Sequence, residues 1–472
     1  MASAFHLLYP ADYDKEKDTA FKDFSFIRSL QIDRMVVLIK ESFRGFTDLS
    51  LENYFSTDTR VLEYRLQIVE DLLNNRELYD VFCKSVGIIF NLHDLRRALS
   101  SDFTKESALG SIRHLEMYQE IVNLFAGALN KAELHSEGLK QFKAHIDAIT
   151  DSDDFKNLNT ELYKMEMHFG DVKSVTIGVN LDENLRPKEA GIVSINNTPY
   201  HAGTIIDRLL KKNSENNFSL MSPFYPLVKG LHGEELKAMN YALSDSLHTV
   251  FAKSMRDFEP LIQNFYSENT IVSNTVAFDE AGRFYLVTGP NHGGKSIFAY
   301  SVGMAQALFQ LGLFVPADSA YMSPVSGIYT HFPSSDENNY GKGRLESECA
   351  RLGDIMKNLT DTDMLLMDES FSSTSGLEAG YIASEVLTGI GVIGCCGIFV
   401  THIHDLPQQV AQYNSHPLNR GKIDNLVALM ENKEDGTRSY KIARTTPDGL
   451  SYAKDIASRY GLNLEGILAK QE

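Results

Sequence analysis

The chain has 472 residues, of which 43% are hydrophobic, and it carries a formal net charge of −18 at pH 7. This length exceeds what one hydrophobic core usually organises, so we expect two or three domains. The acidic balance excludes a general attraction to nucleic-acid phosphates, and binding to DNA would need a local basic surface. The basic pairs Arg96-Arg97 and Lys211-Lys212 are scattered, which favours solvated helix faces over a DNA track.

The four cysteines are too few for a secreted disulfide scaffold, and their spacing does not suit a zinc site. We expect Cys395 and Cys396, inside a glycine-rich apolar run, to be small core residues. The N-terminus shows no signal-peptide pattern, and no run reaches the roughly 18 apolar residues of a membrane span. The sequence therefore predicts a cytoplasmic protein that does not associate with membranes.

The first half of the chain is predicted to be mostly helical. Apolar residues recur three and four positions apart between about residues 25 and 165, as in RVLEYRLQIVEDLL. The runs SVTIGVNL and AGIVSIN flank ENLRPK and predict a β-hairpin or small sheet within residues 174–196. A long helical segment is expected from about Gly233 to Gln263.

Short apolar strands alternate with helices after residue 270. The predicted strands are FYLVTG, DMLLMDE, GCCGIFVTH and, before a C-terminal helix, RSYKIAR. Strands that alternate with helices indicate a mainly parallel sheet with helices on both faces. We therefore predict an α/β domain in the second half of the chain.

The stretch FYLVTGPNHGGKSIFAY places a glycine-rich turn between a strand and a helix. It satisfies the phosphate-loop spacing G-x-x-x-x-G-K-[ST], in which backbone N–H groups surround phosphates, the lysine neutralises their charge and the hydroxyl ligates Mg²⁺. Because the pattern has few fixed positions, a chance match is the alternative. The predicted nucleotide-binding residues here are Gly289, Pro290, Asn291, His292, Gly293, Gly294, Lys295, Ser296 and Ile297.

Two further strands end in residues suited to phosphate chemistry. MLLMDES ends in Asp368 and Glu369, at the strand edge where ligands of open α/β sheets bind. Asp368 would hold the Mg²⁺ shell and Glu369 would polarise the attacking water. FVTHIHDL ends in Thr401 and His402, and a histidine there can contact the γ-phosphate or its water. The alternatives are acidic turn residues and a structural histidine.

These motifs together resemble the MutS family of ABC-type ATPases. TGPNHGGKS resembles the family's TGPNMGGKS, ALFQLGLFVPADSA is similar to its following helix, and MLLMDESFSSTS and FVTHIHDL match its next strands. GLSYAKDIASRYGL resembles its C-terminal segment. More weakly, STDTRVLEYRLQIVEDLLNNRELYDVF resembles the helical core of MutS proteins.

The resemblance implies a fold, a reaction and an assembly. Residues 1–255 would form a mostly α-helical, MutS-core-like domain with the small β insertion, and residues 256–472 an ABC-type P-loop ATPase domain with a mainly parallel sheet. ATP and Mg²⁺ are the implied cofactors, with Lys295, Glu369 and His402 catalytic. The implied partner is a second copy or a related MutS-like subunit, since one subunit's signature loop completes the other's site.

The chain departs from the family in several places. In GKGRLESE, Gly343 and Arg344 stand where the family usually has Ser-Thr, so an arginine rather than a hydroxyl would approach the γ-phosphate across the dimer. SFSSTS lacks the family's Gly-Arg-Gly. Asp336 falls where the family has an acidic residue near the metal, which adds it to Ser296 and Asp368 as a predicted Mg²⁺ residue, with a plain loop acid as the alternative.

Two classes of client remain open. By family precedent, the helical arms of the first half of the chain would bind around double-stranded or branched DNA, in a role related to mismatch repair or recombination. The resemblance does not extend to the Phe-x-Glu wedge with which mismatch-finding MutS proteins stack on a mispaired base. Alternatively, the chain resembles truncated MutS-like ATPases associated with cobalamin-dependent aminomutases, where a chaperone or reactivase role on a protein client is suspected. The net charge of −18 favours the protein client.

Overall fold

A computed structural model of the chain forms two compact units. The helical unit comprises residues 1–13, 42–47 and 64–254, and the sheet unit comprises residues 14–41, 48–63 and 255–472. The predicted domain division at residue 255 stays a prediction. The structure describes residues 7–14, 18, 21, 23–34, 51–85, 105–160, 174–181, 187–196, 272–333, 343–403, 405–432 and 437–447.

Amphipathic helices make up most of the described helical unit, which confirms the helical pattern predicted there. The named helices are α2 (Thr59–Asn74, whose first residues belong to the sheet unit), α3 (Lys105–Lys131) and α4 (Glu137–Asp151), and residues 76–85 and 153–160 are also helical. The core contains the packed rings of Phe82, Phe125 and Phe142. Apolar residues three and four apart reach this core from successive turns.

A buried carboxylate fixes the start of α4. Asp71 accepts hydrogen bonds from the backbone N–H groups of His135 and Ser136 and from the Ser136 hydroxyl. Ser136 in turn caps the helix, since its Oγ accepts from the Leu139 N–H. The carboxylate is 2% exposed and its hydrogen bonds offset its desolvation. Sequence periodicity alone does not reveal this contact.

The predicted β-hairpin is confirmed. Strands β1 (Ser174–Leu181) and β2 (Pro187–Asn196) pair antiparallel, with Ser174 opposite Asn196 and irregular register near Ile177 and Leu181. The expected helical segment from Gly233 to Gln263 lies outside the described residues, as does the expected C-terminal helix after residue 447.

A six-stranded sheet organises the second unit. Its strands are β3 (Phe284–Thr288), β4 (Ile328–His331), β5 (Met364–Asp368), β6 (Cys396–Val400), β7 (Ile423–Asn432) and β8 (Thr437–Arg444). Their order is β4-β5-β6-β3-β7-β8, with every pair parallel except β7 and β8. The mainly parallel sheet is therefore confirmed, with an antiparallel edge. Strands β3, β5, β6 and β8 were predicted from the sequence, whereas β4 and β7 were not.

Helices flank this sheet and position its strand ends. They are α1 (Ser25–Ser29), α5 (Lys295–Gln310), α6 (Arg344–Asn358), α7 (Gly376–Ile393) and the short α8 (Val410–Asn414). Among the described helices, α7 alone is long and apolar enough to cross a membrane by length and composition. Its residues Ala379, Ala383 and Leu387 lie in the core of the sheet unit. The expected absence of membrane association stays a prediction.

An N-terminal segment packs against α5 within the sheet unit. The fully buried Gln310 side chain donates to the carbonyls of Ser56 and Val325, and its backbone carbonyl accepts from the Ser56 N–H. A Cβ at Gly303 would lie 2.3 Å from a Leu366 methyl and 3.0 Å from a Leu30 methyl. These contacts fix α5, whose first turn carries Lys295 and Ser296.

Cys395 and Cys396 are buried at the start of β6, as expected for core residues. Burial raises the pKa of the Cys396 thiol to about 11 and raises that of Cys395 as well. Both thiols therefore stay protonated and unreactive at neutral pH.

Candidate functional site

The predicted phosphate loop lies between β3 and α5, and its glycines have conformations that other residues rarely adopt. Gly289 has a φ of 123° and Gly294 a φ of 85°. A Cβ at Gly289 would lie 2.7 Å from the Ala428 carbonyl oxygen, and one at Gly293 would lie 2.9 Å from the Pro290 carbonyl oxygen. Glycine is therefore required here for steric reasons, and the loop closes tightly over the start of α5.

Lys295 lies inside this loop. Its Nζ donates to the carbonyl oxygens of Gly289 and Pro290, at 3.1 and 2.9 Å, and the residue is 5% exposed. Burial lowers the pKa of Lys295 to about 8, although the charges of Glu369 and Asp368 act to raise it. An ammonium held in a narrow loop at a helix N-terminus is suited to binding a phosphate anion.

Arg438 on β8 also contacts the loop. Its Nε donates to the Asn291 carbonyl oxygen at 3.0 Å, and its positive charge helps to lower the pKa of Lys295. Arg438 was not predicted as a site residue, because RSYKIAR carries no motif that indicates contact with a loop 147 positions earlier. Asn291, His292 and Ile297 are exposed around the loop.

Ser296 and Asp368 meet at the C-terminal end of β5. The Ser296 hydroxyl donates to Asp368 Oδ1 at 3.0 Å, and Asp368 is 6% exposed. Burial raises the pKa of Asp368, against a lowering contribution from the Ser296 hydrogen bond. A hydroxyl and a carboxylate beside a phosphate loop are oxygen donors of the kind that Mg²⁺ prefers, so the residues present fit this metal.

Glu369 and His402 form a second pair at the neighbouring strand ends. His402 Nε2 lies 2.9 Å from Glu369 Oε1, and the two side chains are 41% and 42% exposed. The pair forms because β5 and β6 are adjacent and parallel, with Asp368 in register with Val400. Both side chains are open to water, next to the part-buried contact between Ser296 and Asp368.

The remaining predicted residues lie elsewhere. Gly343 precedes α6 and Arg344 begins it, and the exposed Arg344 Nε lies 3.6 Å from Glu348 Oε1. Within the described part of the sheet unit, the structure shows no hydrogen bond from Arg344 to the phosphate loop. Asp336 lies outside the described residues. The structure thus brings together Lys295, Ser296, Asp368, Glu369 and His402, and among the described residues no hydrogen bond or ion pair joins Gly343 or Arg344 to them.

Comparison with known proteins shows which family this arrangement resembles. Residues 285–462 match the model of MutS domain V, and residues 57–268 match that of the MutS2 N-terminal domain. The chain is MutS-like. The MutS domain V match covers the loop, both acidic strand-end residues and His402. The MutS2 match covers most of the helical unit, whose likeness to the MutS core stays a prediction.

Individual relatives agree with this assignment. The MutS-like chain is 30% identical over 216 residues to a DNA mismatch repair protein MutS of Halothermothrix orenii. This alignment covers 45% of the chain and 23% of the relative. It is 28% identical over 244 residues to a protein of that name from Prochlorococcus marinus, covering 51% and 26%. The chain therefore matches about a quarter of the length of these relatives.

Proposed function

We propose that this MutS-like chain binds ATP with Mg²⁺ and hydrolyses it to ADP and phosphate. The observation that carries the proposal is the pairing of Ser296 with Asp368 at 3.0 Å, beside a glycine loop that encloses Lys295. A hydroxyl, a buried carboxylate and a phosphate-binding ammonium in one place match the needs of a metal-nucleotide complex better than those of a plain structural loop. The likeness to MutS domain V also supports ATP binding and hydrolysis.

We assign each site residue a role in the proposed reaction. The backbone N–H groups of residues 289–294 and the Lys295 ammonium bind and orient the phosphates. Ser296 and Asp368, with Asp336 as the third proposed residue, would hold Mg²⁺, which neutralises phosphate charge. Glu369 accepts a proton from the attacking water, and His402, within hydrogen-bond distance of Glu369, orients that carboxylate and contacts the γ-phosphate.

We further propose that the active form is a dimer in which Arg344 of one subunit completes the site of the other. Arg344 is exposed at the start of α6, where its Nε lies 3.6 Å from Glu348 Oε1. An arginine that is free to extend toward a neighbouring phosphate can stabilise the charge of the transition state, as arginine fingers do. The partner is a second copy or a related MutS-like subunit.

Complementation between two inactive variants tests this shared site. Arg344→Ala and Lys295→Ala should each abolish turnover, while Arg344→Ala should still bind ATP. In an equimolar mixture of the two, half of the dimers are mixed, and each mixed dimer has one complete site of two, so about a quarter of wild-type turnover should return. The measurement is phosphate release against mixing ratio. Recovery that never exceeds the separate variants would contradict the shared site.

For the client, we propose double-stranded or branched DNA, in a role related to mismatch repair. The support is that two relatives are named DNA mismatch repair proteins, and the chain matches about a quarter of the length of each. The net charge of −18 favours the second candidate, an ATP-driven chaperone or reactivase acting on a protein client such as a cobalamin-dependent aminomutase. The proposed setting for either function is the cytoplasm.

The salt dependence of DNA stimulation separates the two clients. If DNA is the client, mismatched or branched duplexes should raise ATP turnover, and the effect should decrease steeply between about 50 and 200 mM salt as counterions compete for phosphates. Turnover is measured with and without DNA at both salt concentrations, with Lys295→Ala as the blank. Turnover that does not respond to any DNA form at either concentration would favour the protein client instead.

A further inference from the structure

The loop that follows β5 holds its backbone in an unusual conformation. Glu369 has a φ of 47° and Phe371 a φ of 67°, so two non-glycine residues on either side of Ser370 are left-handed. Such conformations cost free energy and persist only where the surrounding structure holds them. The position of the Glu369 carboxylate therefore depends on contacts made by Ser370 and Phe371.

Two side chains from other elements hold this loop, and both are buried. Glu348 on α6 accepts a hydrogen bond from the Phe371 N–H at its Oε2, at 2.9 Å, and is 7% exposed. His331 at the end of β4 has its Nδ1 2.7 Å from the Ser370 hydroxyl and is 1% exposed. A third contact joins these two residues, since His331 Nε2 lies 3.2 Å from the Glu348 carbonyl oxygen.

The chemistry of the partners assigns the protons in this cluster. A backbone carbonyl only accepts, so His331 Nε2 carries the hydrogen and donates to Glu348. Burial, with the nearby charge of Arg351, lowers the pKa of His331 to about 4, so the imidazole is neutral at pH 7. Nδ1 is then an acceptor, and the Ser370 hydroxyl donates a hydrogen bond to it. Each contact is satisfied without a charge on the imidazole.

Glu348 is the member that connects the loop to Arg344. One carboxylate oxygen holds the Phe371 N–H, and the other lies 3.6 Å from Arg344 Nε at the start of the same helix. We propose that Glu348 is a positioning residue: it holds the backbone after Glu369 so that this carboxylate faces the attacking water, and it ties that backbone to the helix that carries Arg344. This inference rests on the proposed ATP hydrolysis.

Three variants test the proposal. Glu348→Ala removes the acceptor and leaves the Phe371 N–H without a partner, so kcat should fall about ten-fold or more while KM for ATP stays within about two-fold. Glu348→Gln keeps an oxygen acceptor and should retain most of the activity. Glu346→Ala, at an exposed position of the same helix, is the matched control and should resemble the wild type.

Hydrogen exchange gives a readout that does not depend on turnover. In Glu348→Ala, the Phe371 amide should exchange about ten-fold faster than in the wild type, with unchanged exchange in residues 289–295. If that variant does not fold, Glu348→Met, which keeps the side-chain length without an oxygen, replaces it. Unchanged kcat and unchanged Phe371 exchange would overturn the proposal, as would an equal loss in Glu348→Gln.

The same experiment distinguishes this inference from the proposed function. If the wild-type chain shows no turnover above the Lys295→Ala blank, the proposed hydrolysis fails, and the Phe371 exchange alone decides whether Glu348 holds the loop. If the wild type hydrolyses ATP and Glu348→Ala leaves kcat unchanged, the hydrolysis stands and the positioning role is wrong.

Discussion

Glu369→Gln should lower ATP turnover by about 10²- to 10⁴-fold, the range expected when a general base is removed. Glutamine has the same shape but cannot accept the proton of the attacking water. Its amide can still lie beside His402, now 2.9 Å from the carboxylate, so the neighbouring backbone should not move. ATP should therefore still bind, with an affinity within a few-fold of the wild type.

The measurement is single-turnover hydrolysis together with equilibrium binding of ATP. Glu385→Gln, at an exposed position of α7, is the matched control because it makes the same chemical change away from the strand ends. The two readouts separate a catalytic role from a structural one. Turnover above about a tenth of the wild-type value would show that Glu369 is not the general base.

Lys295→Ala should weaken ATP binding and abolish turnover. The Lys295 ammonium lies within the loop at 2.9 Å from the Pro290 carbonyl oxygen, where it would meet the phosphates of ATP. A hydrogen bond to a charged group contributes about 1.5–3 kcal/mol, so ATP affinity should fall about ten- to 150-fold. Because the same charge stabilises the transition state, kcat should fall by a further factor of about 10² to 10³.

Calorimetric titration with ATP and Mg²⁺ measures the first effect and phosphate release the second. Lys357→Ala is the matched control, since its side chain is 75% exposed on α6, where it pairs with Asp354. The fold should be retained, because the wild-type protein pays a desolvation cost for the buried Lys295 ammonium. That cost lowers the pKa of Lys295 to about 8, and it is absent from Lys295→Ala. Wild-type affinity in Lys295→Ala would exclude the loop as the phosphate site.

Local patterns predicted the part of the fold that surrounds the loop. The order of β3, glycine turn and α5 follows from residues that are adjacent in sequence, and its helix begins at Lys295. The strand β4 was missed because it has only four residues and ends in the polar Thr330 and His331. The strand β7 was missed because Asp424 and Asn425 interrupt its apolar run.

In the site, too, some contacts could be predicted from local sequence patterns and others could not. The meeting of Glu369 with His402 could be anticipated, because parallel strands bring their C-terminal ends to one edge of a sheet. The contact between Glu348 and the Phe371 N–H could not, since it depends on a left-handed φ at Phe371 and on how α6 packs. Side-chain to backbone contacts between distant segments leave no periodic signal in the sequence.

The measurement that tests the central claim most directly is phosphate release from ATP by the wild-type chain, with Mg²⁺ and with a chelator in its place. Lys295→Ala, purified in the same way, sets the background. Our account predicts steady turnover that requires Mg²⁺, disappears in Lys295→Ala and rises more than linearly with protein concentration as dimers form. Turnover equal to that of Lys295→Ala at every protein concentration, with Mg²⁺ present, would contradict it.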